Sequence, residues 1–394
     1  MSAASKKGVD RRAMGVLSSG HLFTDLNQGA VAALLPFLIS ERGLSLAAAG
    51  ALVFAATVSS SLVQPLFGIF SDRNPIPALM PLGVLLAGVG MALVGVAPSY
   101  PLIFASVVVS GIGVAAFHPE AARFANYVSG ARRARGMSFF SVGGNAGFAL
   151  GPIVATPLVL VFGLPGTLFL ALPAALMAGV MFAETSRMLR LAPEEAGNGS
   201  QEVEAPPESW GPFAVMIAVV AVRSFVYFGL VAFVASYYER VHGASAALGN
   251  VALTVMLASG AVGTLFMGPL ADRFGRKAVL VWSMLVLPPL VLAFTFVGPY
   301  PGMALLALVG AATVGTFGVT VVMGQEYLPG RIGLAAGLTM GLSIGLGGIG
   351  APLFGLLADA GGLKTTMLAV AALPVIGLVL ALTLPSRTRA PDGA

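Results

Sequence analysis

The sequence carries very little charge for its length. Only 9% of its 394 residues are Asp, Glu, Lys or Arg, whereas an ordinary soluble domain has about 25%. A soluble chain of this size could not cover its surface with so few charges, and the mean hydropathy of +0.93 agrees with that conclusion. We therefore expect lipid to be the solvent for most of the chain.

Cysteine is absent altogether, which excludes disulfide bonds and thiolate metal sites. The sequence also shows no nucleotide-binding loop, no nucleophile–base pair and no cluster of metal ligands. These absences argue against an embedded enzyme and against ATP-driven export, and they predict no catalytic residue, cofactor or metal. Glycine, by contrast, is abundant, with 51 residues, as is typical of membrane helices that pack closely.

One segment occurs twice, 200 positions apart. The stretch from Gly68 to Arg73 reappears as the stretch from Gly268 to Arg273, and Gly147 returns as Gly347 in the same register. A fixed offset over a long stretch indicates two copies of one structural unit. Secondary transporters use duplicated bundles of membrane helices to alternate between the two faces of a membrane.

Twelve stretches of the chain are long enough to be membrane spans, which take about 20 apolar residues each. Together with the repeat, they predict an all-α membrane protein of two six-helix bundles, 1–184 and 211–394. A segment rich in Glu, Pro, Gly and Ser over 185–210 predicts a flexible cytoplasmic linker between them. The expected spans are 15–39, 46–70, 76–96, 102–125, 136–162, 167–183, 213–238, 247–271, 278–297, 304–327, 332–357 and 366–384.

The basic residues are distributed unevenly about these spans. Of the 21 Lys and Arg residues, Arg42, Arg240 and Lys364 lie on one side and Arg223 lies within a span. All the others lie on the side of the N-terminus, so the positive-inside rule makes both termini cytoplasmic. The net charge of +5 thus reflects membrane orientation, and the expected partner is a lipid bilayer rather than nucleic acid.

The repeated loop resembles the signature of the major facilitator superfamily, Gly-x-x-x-Asp-Arg-x-x-Gly-Arg-Lys. The resemblance implies the major facilitator fold and a gating role for both loops, in which an Asp at a helix end pairs with an Arg or a helix N-terminus. Glu326 and Arg331, at the cytoplasmic end of span 10, are predicted to take part in gating as well, with helix capping as the alternative for Glu326. The first copy keeps Gly68, Asp72 and Arg73, and the second matches in full at Gly268, Asp272, Arg273, Gly275, Arg276 and Lys277.

A stripe of glycines marks span 5, at Gly143, Gly147 and Gly151, followed by Pro152. The stripe resembles the Gly-x-x-x-Gly-Pro core of the motif typical of proton-coupled drug antiporters, although the glycine pair that ends that motif is missing. Small residues at this spacing are also common wherever membrane helices pack closely. Both interpretations, an antiporter motif and helix packing alone, remain open.

Ionisable side chains within spans are costly and therefore indicate function. Asp25 and Arg223 each lie ten residues into a span, which places them near the midplane at about 1.5 Å per residue. The carboxylate could exchange a proton and the guanidinium could bind an anion, while a fixed ion pair between the two is the alternative. His21 lies one turn from Asp25 and either relays protons or orients the carboxylate.

Span 4 contains a second charged pair, Glu120 and Arg123, which are three residues apart. Residues at this spacing are neighbours on a helix face, so we expect an ion pair near the cytoplasmic end of the span. It forms either a functional charge network or a structural pair that stabilises the inner half of the helix.

Further segments, in order along nearly the whole chain, narrow the resemblance to the fosmidomycin resistance proteins. They are Gly20–Gln28, Ser60–Pro65, Phe117–Glu120 with Arg123, Val142–Asn145 and Gln325–Arg331. The resemblance implies inner-membrane efflux of a small anionic or polar compound, exchanged for protons by a monomer. Asp25 and His21 would then couple protons, and the substrate cavity would be shaped by Arg223, Asn27, Gln28, His118 and Asn145. A symporter or uniporter for a sugar or organic acid remains open, because superfamily motifs do not fix the direction of transport.

Overall fold

The computed structural model describes residues 8–64, 66–67, 76–130, 133–190 and 208–385. Within these residues all regular structure is helical, and no strand occurs. Short 3₁₀ helices at Leu164–Leu170 and Pro329–Arg331 precede α6 and α12. The α-helices are α1 (Arg11–Arg42), α2 (Leu46–Ser61), α3 (Leu79–Val94), α4 (Tyr100–Val128), α5 (Arg133–Phe162), α6 (Ala171–Leu189), α7 (Trp210–His242), α8 (Ala246–Phe274), α9 (Arg276–Phe296), α10 (Pro299–Gly315), α11 (Phe317–Tyr327) and α12 (Ile332–Thr383).

Nine helical segments of the described chain are long and apolar enough to cross a membrane, and α2 and α3 are shorter apolar helices. The ninth segment, within α12, contains a break at Gly362, whose φ of 83° lies in the left-handed region that favours glycine. Two helices therefore follow one another in α12. With these two counted separately and α2 and α3 added, the described residues contain twelve apolar helical segments. The predicted all-helical membrane architecture is confirmed.

Two of the predicted spans are interrupted in ways that the sequence did not indicate. α2 ends at Ser61 and a turn follows at Leu62 and Val63, where the sequence predicted one span over 46–70. The hydroxyl of Ser60 donates back to the carbonyl of Thr57, a bond that competes with regular helix geometry. In span 10, regular helix geometry is interrupted at one residue, Thr316, between α10 and α11, although Pro299–Tyr327 remains one helical segment.

The chain divides into two compact units. The first contains the described residues up to Leu38 and those from Ala55 to 190, and the second contains Ile39–Phe54 and the described residues from 208 onward. The end of α1 and the first half of α2 thus belong with the C-terminal residues. Most of the predicted linker lies outside the described residues.

Within the first unit, the glycine stripe of α5 packs directly against the backbone of α1. A Cβ atom added at Gly143 would collide with the backbone of Ser18, and one at Gly147 would collide with Leu22. Gly151 approaches α1 equally closely. Only glycine permits two helix backbones to come this near, so the stripe forms a close contact between α5 and α1. Its role in antiport stays a prediction.

The first unit has an apolar core behind this contact. Phe117, Phe124, Phe140, Met80 and Met181 are all buried within one cluster. Burial of large side chains among neighbours on several helices fixes the rotation of each helix about its own axis. The core therefore determines which polar side chains of α1 and α4 face one another.

In the second unit, a carboxylate caps the N-terminus of α2. Asp359 of α12 accepts hydrogen bonds from the backbone amides of Leu46 and Ala47, both at 2.9 Å. The first turn of a helix has free N–H groups and a positive dipole end, so an anion there is stabilising. Gly355, one turn before Asp359, allows the two helices to approach closely.

Candidate functional site

His21, Asp25 and His118 form a cluster of polar side chains within the first unit. α1 carries the first two residues one turn apart, and α4 supplies the third. The Nε2 atoms of the two histidines are 3.1 Å apart. Asp25 Oδ2 lies 3.3 Å from His21 Nε2, and Asp25 Oδ1 lies 3.4 Å from His118 Nε2. The predicted proximity of His21 to Asp25 is confirmed, and His118, predicted to shape the substrate cavity, lies in the same cluster.

The cluster is largely removed from solvent. The side chains of His21, Asp25 and His118 are 11%, 14% and 21% exposed. Asp25 Oδ1 is buried and accepts no hydrogen bond within the described chain. A buried polar atom without a hydrogen bond costs about 1–3 kcal/mol, so folding alone does not account for this arrangement.

Backbone carbonyls determine which nitrogen of each histidine carries a proton. Nδ1 of His21 lies 2.8 Å from the carbonyl oxygen of Phe140, and Nδ1 of His118 lies 2.8 Å from that of Val114. A carbonyl oxygen only accepts hydrogen bonds, so each Nδ1 donates and each Nε2 of a neutral ring bears a lone pair. Three acceptors, the two Nε2 atoms and the carboxylate of Asp25, therefore converge on one point. The arrangement is suited to hold a single cation, either a proton or a metal ion.

Two residues for which the sequence predicted no role at this site form the wall of the cluster. The ring of Phe140 stacks on that of His21, with 4.2 Å between centroids. A Cβ added at Gly144 would collide with the imidazole of His21 and come within 2.8 Å of Asp25 Oδ2. Gly144 stands beside the glycine stripe in the sequence, but its role becomes visible only once the side chains of α1 are placed against it.

A charged pair lies on α4 next to the cluster. Arg123 forms an ion pair with Glu120, as predicted from their spacing. Glu120 is fully buried and the side chain of Arg123 is 16% exposed. Removing one partner of a buried ion pair leaves an uncompensated charge, so neither residue is expected to be replaceable alone, and the choice between a structural pair and a transport role stays a prediction.

The other polar residues predicted for the first unit have separate partners. Asn27 donates to the carbonyl of Phe23 at 2.8 Å, and Gln28 donates to the hydroxyl of Ser60 at 3.1 Å. Asn145 is half-buried on α5. These residues lie on the helices that carry the cluster or its wall, and their grouping as substrate residues stays a prediction.

Arg223 is buried within the second unit, at 4% exposure. Its guanidinium donates to the hydroxyl of Thr316 at 2.9 Å and lies 5.8 Å from the centre of the Phe317 ring. No carboxylate among the described residues forms an ion pair with it. Thr316 is the single residue between α10 and α11. A buried guanidinium with spare donors is suited to an anion.

Comparison with known proteins identifies the family. The model of the Major Facilitator Superfamily matches residues 17–261 and 213–394 of this chain. The chain belongs to the Major Facilitator Superfamily. It is 35% identical over 375 residues to the uncharacterized MFS-type transporter YfnC of Bacillus subtilis, covering 93% of this chain and 91% of that protein. It is 32% identical over 377 residues to the fosmidomycin resistance protein of Escherichia coli, with the same coverage of each chain.

Solved structures agree on the fold. A bacterial homolog of the human lysosomal transporter Spinster, in an inward-facing and unoccupied conformation, superimposes with a TM-score of 0.78. It covers 94% of this chain and 95% of its own at 18% identity, which establishes the major facilitator fold and nothing about substrate. The chain is therefore a multi-pass membrane transporter of the major facilitator type.

The signature loops of this major facilitator protein are only partly described. Gly68, Asp72 and Arg73 lie outside the described residues. In the second copy, Gly275 has a φ of 90° and separates α8 from α9, which explains the need for glycine there. A Cβ at Gly268, by contrast, would meet open space.

Charged residues predicted for gating form several contacts within the second unit. Arg276 pairs with Glu326, and Arg331 Nε lies 3.0 Å from Glu208 Oε1. Lys277 donates to a backbone carbonyl of α12 at 2.9 Å. Two members, Asp272 and Arg273, are exposed and form no ion pair with other residues of the described chain. These contacts join α9 to α11 and α12, and the 3₁₀ helix Pro329–Arg331 to the residues before α7. The gating role stays a prediction.

A cavity of about 750 Å³ lies in the first unit against α1 and α5. Its lining is largely apolar, with Leu22, Phe139 and Val142, and Arg11 and Ser18 add polar groups. On α1 the cavity ends at Leu22, three residues before Asp25. It therefore approaches the cluster without containing it.

Proposed function

We propose that this major facilitator protein is a proton-coupled antiporter that exports a small anionic or polar compound across the inner membrane. It acts as a monomer by alternating access of its two six-helix bundles, 1–184 and 211–394. Asp25 and His21 exchange the proton, and Arg223 binds the substrate. The observation that carries this proposal is the convergence of two imidazole Nε2 atoms and a carboxylate within membrane helices.

The proton site rests on the geometry of the first unit. Both Nδ1 atoms already donate to carbonyl oxygens, so the facing Nε2 atoms can form a hydrogen bond with one another only after a proton is added. A proton bound at this point removes the repulsion among the three acceptors and neutralises the charge of the carboxylate. The proton can also leave again, because the three side chains retain some exposure to solvent. His118, through its contact with both partners, belongs to this proton site as well as to the predicted cavity.

The substrate site rests on Arg223 in the second unit. A guanidinium buried without a carboxylate partner among the described residues favours an anion as its ligand. One relative is named for resistance to fosmidomycin, and we propose that compound as a substrate. Asn27, Gln28 and Asn145 would also make polar contacts with the substrate. The Gly-x-x-x-Asp-Arg loops, with Glu326 and Arg331, would gate the cytoplasmic side of the transporter.

Proteoliposomes containing a pH-sensitive dye test the proposed function. Fosmidomycin added outside, with no imposed gradient, should drive proton movement in the opposite direction to its own entry. Liposomes without protein provide the control. If the folded protein moves no protons when fosmidomycin is added, this substrate is discarded. Proton movement in the same direction as fosmidomycin would instead establish symport.

We expect Arg223→Ala to weaken the apparent affinity for fosmidomycin by about 10- to 100-fold, the scale of a hydrogen-bonded charge. Arg223→Lys should recover part of that loss, because it keeps the charge but lacks the planar fork of donors. The measurement is the fosmidomycin concentration that gives half-maximal proton movement. Arg240→Ala, at the exposed outer end of α7, is the matched control. An unchanged concentration dependence in Arg223→Ala would remove this residue from the substrate site.

A further inference from the structure

The donor atoms of the cluster have the spacing of a metal site. The Nε2 atoms of His21 and His118 are 3.1 Å apart, and each approaches a different oxygen of Asp25, His21 Nε2 at 3.3 Å from Oδ2 and His118 Nε2 at 3.4 Å from Oδ1. Zinc binds imidazole nitrogen and carboxylate oxygen at about 2.0–2.2 Å in a tetrahedron, so two of its ligands lie about 3.3–3.4 Å apart. One ligand atom from each residue lies within 4.8 Å of the other two, so a rotation of the Asp25 carboxylate would bring one of its oxygens into the face of a zinc tetrahedron that the two Nε2 atoms begin.

The hydrogen bonds around the histidines fit a metal site as well. A metal-binding histidine almost always donates its second ring N–H to a carbonyl or carboxylate, which fixes the tautomer and the orientation of the ring. The Nδ1 atoms of His21 and His118 both make such a bond to a backbone carbonyl at 2.8 Å. Asp25 Oδ1, buried and without a hydrogen bond in the described chain, supplies a free acceptor.

We infer that His21, His118 and Asp25 bind one divalent transition-metal ion of the zinc type, with the fourth tetrahedral position left for water. Two imidazoles and a carboxylate are the ligands of known three-residue zinc sites. The sequence predicted no metal ligands, because His118 is 97 positions from His21 and no local spacing reveals the site. The ion would occupy the point at which the proposed function places the proton, so bound metal should block coupling. That consequence rests on the proposed function, whereas the site itself does not.

Cobalt provides a direct test on the full chain in detergent. Co²⁺ in a tetrahedral site absorbs strongly in the visible, and a chain with no cysteine and three histidines gives little background. The protein is purified without a histidine tag and titrated with Co²⁺ and then with Zn²⁺. We expect a tetrahedral spectrum that saturates at one ion per chain and is abolished by Zn²⁺. X-ray absorption of the zinc form should show two imidazole ligands at about 2.0–2.1 Å.

Variants locate the ion. The variants His118→Ala and Asp25→Asn should lose the tetrahedral spectrum. They should also lower the affinity for Co²⁺ by more than the factor of about 10 to 100 that is typical when a residue behind a metal ligand is replaced. His242→Ala, which removes the histidine outside the cluster, should leave both unchanged. The inference is overturned if folded wild-type protein gives no tetrahedral spectrum, or if the spectrum survives in His118→Ala. Loss of the spectrum in His242→Ala would also overturn it. Because none of these readouts measures transport, a failed metal site and a failed antiport mechanism are distinguishable.

Discussion

Replacement of Asp25 by Asn should abolish proton-coupled transport while leaving the protein folded. The substitution keeps the size of the side chain but removes the charge that balances the proton between His21 and His118. We expect fosmidomycin-driven proton movement to fall by about 100-fold or more, the scale on which a positioned proton-transfer group contributes. The measurement is the initial rate of pH change inside proteoliposomes.

Exchange of labelled fosmidomycin between the two sides separates coupling from binding. This exchange needs no net proton movement. It should therefore persist in Asp25→Asn if Asp25 carries the proton and has no part in binding the substrate. Asp359→Asn makes the same chemical change outside the cluster, and its one remaining oxygen keeps an acceptor for one of the two amides, of Leu46 and Ala47, that the carboxylate caps. Its proton movement should resemble that of the wild type. Coupled transport at the wild-type rate in Asp25→Asn would eliminate this residue as the proton carrier.

Replacement of Gly144 by Ala should disable the same cluster by steric means. The added methyl group would occupy the space of the His21 imidazole and press on the Asp25 carboxylate. His21 cannot move aside easily, because its ring stacks on Phe140 and its Nδ1 is bonded to the carbonyl of that residue. We expect coupling to be lost nearly as completely as in Asp25→Asn. Overpacking of this kind should also lower the free energy of unfolding by about 1–3 kcal/mol.

Gly179→Ala is the matched control for this substitution. A Cβ at Gly179, on α6 of the same unit, meets no atom within 4 Å, so the change should be neutral or slightly stabilising within a helix. Thermal unfolding in detergent and proton movement in proteoliposomes are measured for both variants. If Gly144→Ala couples as well as Gly179→Ala, the close wall seen around His21 is not needed for function.

Much of the fold was predictable because a membrane helix can be recognised from its own stretch of sequence. Each span is a long apolar run, and the repeat of Gly68–Arg73 at Gly268–Arg273 revealed the duplication directly. The interruptions were not predictable in the same way. Threonine is an ordinary residue within a membrane helix, and only the structure shows that the hydroxyl of Thr316 accepts a hydrogen bond from Arg223 of another helix. The two residues are 93 positions apart, so sequence patterns along a single helix do not predict their contact.

The candidate site was predictable only in part. Asp25 and Arg223 stand out because charge inside an apolar span is rare, and His21 follows from helix periodicity. His118 was predicted as a cavity residue, but its place beside Asp25 depends on how α4 packs against α1. No role at this site was predicted for Gly144 and Phe140, because a glycine or an aromatic ring in a membrane helix has many possible roles. Tertiary packing selects one of them.

By itself, the sequence determined that the chain lies in a membrane, that it contains two copies of one helical unit, and which few charges lie deep within the spans. These properties depend on composition and on spacing along one helix, both of which are readable from the chain. Only the tertiary structure decided that His21, Asp25 and His118 meet within 3.1–3.4 Å. That meeting requires Gly144 and the glycines of α5 to admit α1 closely, and close packing between distant segments is a property of the folded chain alone.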